Sequence, residues 1–415
     1  MGEREWKEVR LGEVCNIRRG SSPRPIKDFL SNSGMPWVKI ADATESNSRF
    51  IEKTNEFIKL SGVEKSVVVN PGSLILSNSG TAGLPKFMGL KACIHDGWQV
   101  FDNFQGINVL FLYYELLFIR NRLLHDAYDS TMKNLTLDMV RNASIDLPSM
   151  RQQKAIAATL SCLDDKIELN NRINKTLEEI AQAIFKSWFV DFEPFQDGEF
   201  EDSELGRIPK GWRVGTISDL GEVIGGSTPP KACPEYYTNN GIAWITPKDL
   251  SKNKDKFISK GEIDITELGL KNSSTQLMPK GTVLFSSRAP IGYIAIAKND
   301  ITTNQGFKSV VPKNNIGTAY IYYFLKNSLE VIENRATGST FKEVSGSIMK
   351  QIPALTPKDN VLLEFKNTCG KYFEYQAFLE EQNRNLANIR DTLLPKLMSG
   401  EIRVAIEAVT TNKQG

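Results

Sequence analysis

The sequence predicts an α+β protein built twice: two repeated globular units separated by two long antiparallel coiled-coil helices, with pseudo-two-fold symmetry. Three observations carry this reading. Matches recur at one offset of 209 residues: Leu11-Gly12-Glu13-Val14 with Leu220-Gly221-Glu222-Val223, Gly72 with Gly281, Gly83 with Gly292, Tyr113-Tyr114 with Tyr322-Tyr323, Thr131-Met132-Lys133 with Thr340-Phe341-Lys342, and Pro148 with Pro357. A single period of half the chain means two copies of one unit, because a solenoid has shorter and more numerous repeats. Each copy opens with a segment rich in Gly, Pro, Asn and Ser, and each closes on a helical heptad pattern.

The first unit is placed at 1–148. Its short apolar runs, such as SLILS at 73–77, read as strands bounded by turn residues, and Leu110 to Leu124 has the spacing of a helix. The first long helix is placed at 149–190. From Arg151 to Trp188 there is no Gly or Pro, and a seam of steps of four and three runs through Ile156, Leu160, Leu163, Ile167, Asn170, Asn174, Leu177, Ala181, Ile184 and Trp188. That is a coiled-coil pattern, and about 40 residues give a rod of roughly 60 Å. Residues 191–206 read as a solvated linker, since seven acidic residues and no basic one fall between Asp191 and Glu204.

The second unit follows at 207–357, with TVLFS at 282–286 as a strand and Tyr320 to Leu329 as a helix. The second long helix is placed at 358–400, with Phe365, Tyr372, Leu379, Leu386, Ile389, Leu393 and Leu397 on its seam and its ends weakened by Gly370 and Pro395; a tail fills 401–415. Asn170, Asn174 and Asn383 lower stability but fix register and partner choice. Neither helix is stable alone in water, so the seams must meet each other or a partner. An antiparallel pairing would put the units at opposite ends of one rod.

Composition excludes several function classes. The chain has 415 residues, 51 Lys and Arg against 49 Asp and Glu, 40% hydrophobic and 24% charged residues, which is ordinary for a soluble globular protein. The longest apolar stretch, Ile107 to Ile119, is interrupted by Glu115 and too short to span a bilayer, so no membrane association and a cytoplasmic location are expected. Five scattered cysteines and two histidines argue against structural zinc and a disulfide framework, and no metal is expected. Signatures for a phosphate-binding P-loop, a serine hydrolase elbow and a zinc hydrolase are absent from the sequence, and GGSTPP at 225–230 reads as a turn after a strand. Glu364-Phe365-Lys366 holds a nuclease-like fragment but lies on a helix seam without an upstream Asp. No catalytic residue is assigned.

Local charge is more informative than the sum. Between 207 and 357 there are 19 Lys and Arg against 12 Asp and Glu, including Lys252, Lys254, Lys256 and Lys260. Arg18, Arg19, Arg24 and Lys27 cluster in a loop with Ser21 and Ser22. Arginine makes bidentate contacts to guanine, and small polar side chains reach base edges or phosphates.

The stretch LPSMRQQKAIAATLSCLDDKIELNNRINKTLEEIAQAIFKSWFVDFEPF at 147–195 resembles the central conserved region of specificity subunits of type I restriction-modification systems. The resemblance extends to RIPKGW at 207–212, LGEVIGGSTPP at 220–230, Asn304-Gln305-Gly306-Phe307 and IRDTLLPKLMSGEIRV at 389–404, and so covers essentially the whole chain. It implies two target-recognition domains, each reading one half of a bipartite asymmetric site on double-stranded DNA. It also implies a non-catalytic chain that scaffolds two methyltransferase subunits and the restriction endonuclease subunits. S-adenosylmethionine would belong to the methyltransferase, so no cofactor is expected here. The alternative is a self-contained DNA methyltransferase or nuclease with degenerate motifs.

Reading positions are then sought among polar residues at comparable places in both copies. The DNA-binding candidates are Arg18, Arg19, Ser21, Asn78, Ser79, Thr131 and Lys133 in the first unit, and Ser227, Thr228, Ser287, Arg288, Asn304, Gln305, Thr340 and Lys342 in the second. Thr131, Lys133, Thr340 and Lys342 are shared at the 209 offset and suit phosphates, the part of DNA that does not vary. Arg19 and Arg288 differ between copies and suit bases. The helix seam and partner contacts are assigned to Leu160, Leu163, Ile167, Asn170, Asn174, Leu177, Ile184, Trp188, Leu379, Leu386, Ile389 and Leu393.

Overall fold

The computed structural model describes residues 6–46, 48–128, 134–338 and 342–404. It divides into two compact units, the first built from two separate pieces of chain and the second from one continuous piece: Met1–Leu169 with Asn383–Gly415, and Asn170–Gln382. Both divisions fall inside forty-residue helices, Met150–Phe189 and Asp359–Met398. Each unit therefore contains one globular head and a half of each long helix. Ser149 and Gln152 start the first helix with reciprocal backbone and side-chain bonds of 3.4 and 3.0 Å, a capping box. The second helix runs through Gly370 and through Pro395, which sits in its last turn. No described helix is long and apolar enough to cross a membrane.

In the first unit a five-stranded sheet has the order Asn16–Arg19, Trp98–Asp102, Leu74–Ser77, Pro85–Met88, Phe50–Ile51. The second unit repeats it as Gly221–Gly225, Lys308–Pro312, Val283–Ser287, Ile291–Ala297, Phe257–Ile258. The central strands Leu74–Ser77 and Val283–Ser287 are buried at every position because both faces are covered, and they are apolar up to their closing serines. Leu74 and Leu76 pack with Phe111 and Tyr114 while Ile75 packs with Trp98 and Val38; in the second unit Val283 and Phe285 pack with Tyr320 and Leu284 with Ile245. The helices Val109–Tyr128 and Thr318–Asn327 supply those aromatic residues.

The repeat has two registers. The offset of 209 holds from the strand pair Leu74/Val283 to the closing strand, where Leu147 pairs with Lys7 and Thr356 with Arg213. At the start of each head the offset is 206, from Lys7 to Arg213. The two LGEV segments are thus not equivalent in the fold. Leu11–Val14 is a helical turn whose counterpart is Ile217–Leu220; Gly221–Val223 already belong to the next strand. The turn needs apolar residues at its first and fourth positions, and Leu11, Val14, Ile217 and Leu220 are all buried.

Within each unit the helix halves run antiparallel. In the first, Asp164 meets Arg390, and Leu160 shares a core with Leu393 and Leu397. In the second, Asn170 Nδ2 donates to Gln382 Oε1 at 2.8 Å and Gln376 Nε2 donates to the Asn174 carbonyl at 3.0 Å. Of the expected seam, Leu160, Asn170 and Leu379 are buried, while Leu163, Ile167, Asn174, Leu177, Ile184, Trp188, Leu386 and Leu393 are half-buried. Ile389 is the correction: it is 48% exposed, because its neighbour Arg390 takes the inward position against Asp164 and the helix turns about 100° per residue. The seam reading also missed Phe185, Phe189, Cys369 and Phe373, all buried. These helices pack on a head as well as on each other, so the covered face is wider than a coiled-coil stripe.

The acidic segment is structured. It forms the turn Glu193–Phe195 and the hairpin Phe200–Ser203 with Gly206–Pro209. Phe192 and Phe195 set their rings against Trp212 at 5.6 and 5.1 Å. Aromatic residues interleaved with the carboxylates provide the anchor that charge counting overlooks.

Candidate nucleic-acid interface

Each head carries the same loop framework at the end of its first sheet strand. In the first unit Gly20 N donates to the Trp98 carbonyl at 2.8 Å and Ser21 N to the Ile94 carbonyl at 3.2 Å, fastening Gly20–Pro23 over the turn His95–Gly97. In the second, Gly226 N donates to Phe307 at 3.3 Å and Ser227 N to Thr303 at 2.9 Å. A Cβ on Gly20 would lie 2.1 Å from the His95 carbonyl and one on Gly226 2.0 Å from that of Asn304, so only glycine fits. Against each turn stands a hairpin. Asn78 N donates to Gly97 at 2.9 Å and its carbonyl accepts from Leu135 N at 3.0 Å; Ser287 repeats this with Gly306 at 2.8 Å and Val344 N at 3.0 Å. We expect Gly226→Ala to cost about 1–3 kcal/mol by overpacking. Gly225→Ala, whose nearest contact is 3.8 Å away, should change the urea midpoint little by comparison.

The side chains mounted on this shared framework differ. In the first unit Asp96 is the hub: its carboxylate accepts from Ser22 Oγ at 2.6 Å and Arg24 at 3.2 Å, and its carbonyl from Arg19 Nε at 2.8 Å and Asn78 Nδ2 at 2.9 Å. The Ser22 bond chiefly holds that carboxyl below its ordinary range. Burial lowers the His95 imidazole, whose Nδ1 accepts from Gly97 N at 2.7 Å. In the second unit the matching positions are Gln305 and Asn304. The Gln305 amide oxygen accepts from Thr228 Oγ1, and Asn304 Oδ1 accepts from Gly306 N at 2.9 Å. A charged acceptor in one head thus corresponds to an exposed amide in the other.

The fold gathers Arg19, Ser21, Asn78 and Ser79 around the first turn, and Ser227, Thr228, Ser287, Asn304 and Gln305 around the second. By the 206 offset Arg19 corresponds to Gly225 and Ser21 to Ser227, whereas the 209 offset would set them against Thr228 and Pro230. Asn78 and Ser287 are buried, and their side chains bond the Asp96 and Gly306 carbonyls. They serve the turn. Arg18 bonds Asp102 at 2.6 Å, Arg288 lies 3.3 Å from Glu343, and Lys342 is exposed. Thr131, Lys133 and Thr340 lie outside the described residues. The basic run is largely paired within the protein: Lys252 with Glu262, Lys260 with Asp264, and Lys256, 8% exposed, with Glu178.

The family model of the type I restriction modification DNA specificity domain matches residues 3–179 and again 209–361. The chain belongs to that family. Two specificity segments in one chain fit recognition of a two-part site. A specificity subunit of the type I restriction enzyme MjaIX of Methanocaldococcus jannaschii is 47% identical over 193 residues, 46% of this chain and 44% of that protein. The HindI specificity subunit of Haemophilus influenzae is 26% identical over an alignment covering 96% of this chain and all of that one. The crystal structure of a type I system S subunit from M. genitalium shares the fold, with a TM-score of 0.58 at 15% identity over 96% of this specificity-family chain and 97% of the other.

Sequence reasoning missed the polar junctions between heads and helices. Arg49, 7% exposed, bonds Glu168 at 3.0 Å and also Asp165; Asp164 accepts from Tyr114 Oη and Arg390, each at 2.6 Å. Burial pushes Lys86 down to about 8 as it donates to the Ser46 and Ser48 carbonyls. Charged residues on an amphipathic helix read as solvated faces, so no sequence signal marks these as buried.

Proposed function

We propose that the protein is the non-catalytic DNA-reading and scaffolding subunit of a type I restriction-modification complex acting in the cytoplasm. Each head reads one half of an asymmetric site on double-stranded DNA, and the stretch between is left unread. The observation that supports this best is the repeated backbone framework carrying different side chains, Asp96 and His95 in one head, Gln305 and Asn304 in the other. Two different half-sites call for that combination. The net basic second unit and exposed Lys342 suit phosphate contact. Leu363, Tyr375, Phe378 and Ile389, all exposed on the second long helix, suit docking of methyltransferase subunits, two per complex, with restriction subunits beyond them. Adenine N6 methylation with S-adenosylmethionine, on a base swung out of the stack, belongs to the methyltransferase.

The test is reconstitution with the methyltransferase subunit, followed by sequencing of methylated adenines. Methylation of one bipartite sequence by the complex, and none by the isolated chain, is expected. Methyl transfer or cleavage by the isolated chain would make it an enzyme in its own right. Arg288→Ala should relax selectivity at one base pair by about 1–3 kcal/mol. An equal loss across all sequences would assign that arginine to a phosphate instead.

A further inference from the structure

Lys256 joins three parts of the second unit. It precedes the short edge strand Phe257–Ile258, which pairs in parallel with Ile291–Ala297. Its Nζ lies 2.6 Å from Glu178 Oε2 on the first long helix, 2.9 Å from Gln376 Oε1 on the second, and 3.4 Å from the Tyr323 hydroxyl of the head. The ammonium sits 3.5 Å from the Phe373 ring centroid and 4.5 Å from that of Tyr322. Alongside, the backbone N–H groups of Lys256 and Phe257 donate to the two oxygens of Glu380 at 2.9 and 3.1 Å. All three donors of the lysine are engaged within the protein, so it is a joint and not a ligand site. Its counterpart at the edge strand of the other head is Arg49, which bonds Glu168 and Asp165, both on the first helix.

We infer that Lys256 is the positioning residue that sets the angle of the second head on the helix pair, and through that angle the length of unread DNA the complex accepts. This rests on the proposed bipartite reading. The physical reason is leverage. One added base pair displaces a half-site by about 3.4 Å and rotates it by about 35°, so a head held by fixed bonds to both helices meets only one gap length. A head free to rock meets several. A desolvated cation bridging two helices resists rocking, because any tilt that breaks one bond leaves a buried charge unpaired.

The experiment uses the full chain in complex with its methyltransferase subunit and a duplex library carrying both half-sites at varied separation. The variant is Lys256→Met with Glu178→Gln, which removes both charges and keeps the aromatic surroundings filled. Wild type should lose at least about tenfold in methylation when the gap changes by one base pair, a step of about 1.4 kcal/mol. The double variant should narrow that ratio below about threefold while keeping base preferences inside each half-site. Glu380→Gln, which weakens the grip on the edge-strand backbone, should broaden the profile in the same direction, and Lys256→Arg should restore it. A double variant with the wild-type gap profile overturns the inference, as does one that loses base preference together with gap preference. A wild-type complex without any preferred gap overturns the bipartite reading itself.

Discussion

Phe365→Ala should destabilise the second unit by about 3–5 kcal/mol, the range for truncating a fully buried aromatic side chain. Phe365 has no exposed surface, and its ring lies 4.9 Å from Phe189, 6.0 Å from Phe185 and Trp188, and 6.4 Å from Tyr320. The residue holds both helix halves and the head in one apolar cluster. A fall of roughly 10 °C in the calorimetric midpoint is expected. Ile389→Ala, on the same helix at a position the heptad pattern also assigned to the seam, should change stability by no more than about 0.5 kcal/mol. Equal losses for the two variants would reinstate the seam as the sequence drew it.

Glu178→Ala is expected to cost a similar amount for a different reason. Its carboxylate accepts from Lys256 at 2.6 Å, Lys326 at 2.7 Å and Tyr323 Oη at 2.9 Å, and its removal strands a buried ammonium, which costs about 3–5 kcal/mol. The same group sets an acid limit. Burial alone would raise its pKa, but Lys256 and Lys326 outweigh burial and hold it at about 2. A carboxyl depressed in the folded state contributes stability that is full above its unfolded pKa, near 4.5, and is lost as pH falls through the folded value. Wild type should therefore lose about 2–3 kcal/mol more than Glu178→Gln between pH 5 and pH 2 in urea titrations. Parallel curves would mean that the carboxylate is not held by its lysines in solution.

These two residues mark how far the sequence could be read. Phe365 appeared on a heptad seam because apolar periodicity survives in the letters. Glu178 appeared nowhere, since a charged residue next to Leu177 and Glu179 reads as a solvated helix face. The candidate loops were legible in kind: glycines, serines and arginines at strand ends gathered at one turn per head. Their pairing between heads was not. The repeated LGEV letters pulled the first strands three residues out of register, and the tertiary pairings of Lys7 with Leu147 and Arg213 with Thr356, with the bonds from Gly20 and Gly226 to Trp98 and Phe307, restore it.

By itself the sequence determined the duplication, the helices and the strand runs, because these follow from local periodicity and from turn residues whose backbone preferences are their own. Tertiary structure decided which charges are buried, which polar side chains hold a turn and which face outward, and where each unit ends. Those outcomes depend on groups brought together from positions 100 or more residues apart, as Lys256 is with Gln376 and Arg390 with Asp164. Desolvation acts on neighbours in space, and no spacing along the chain records it.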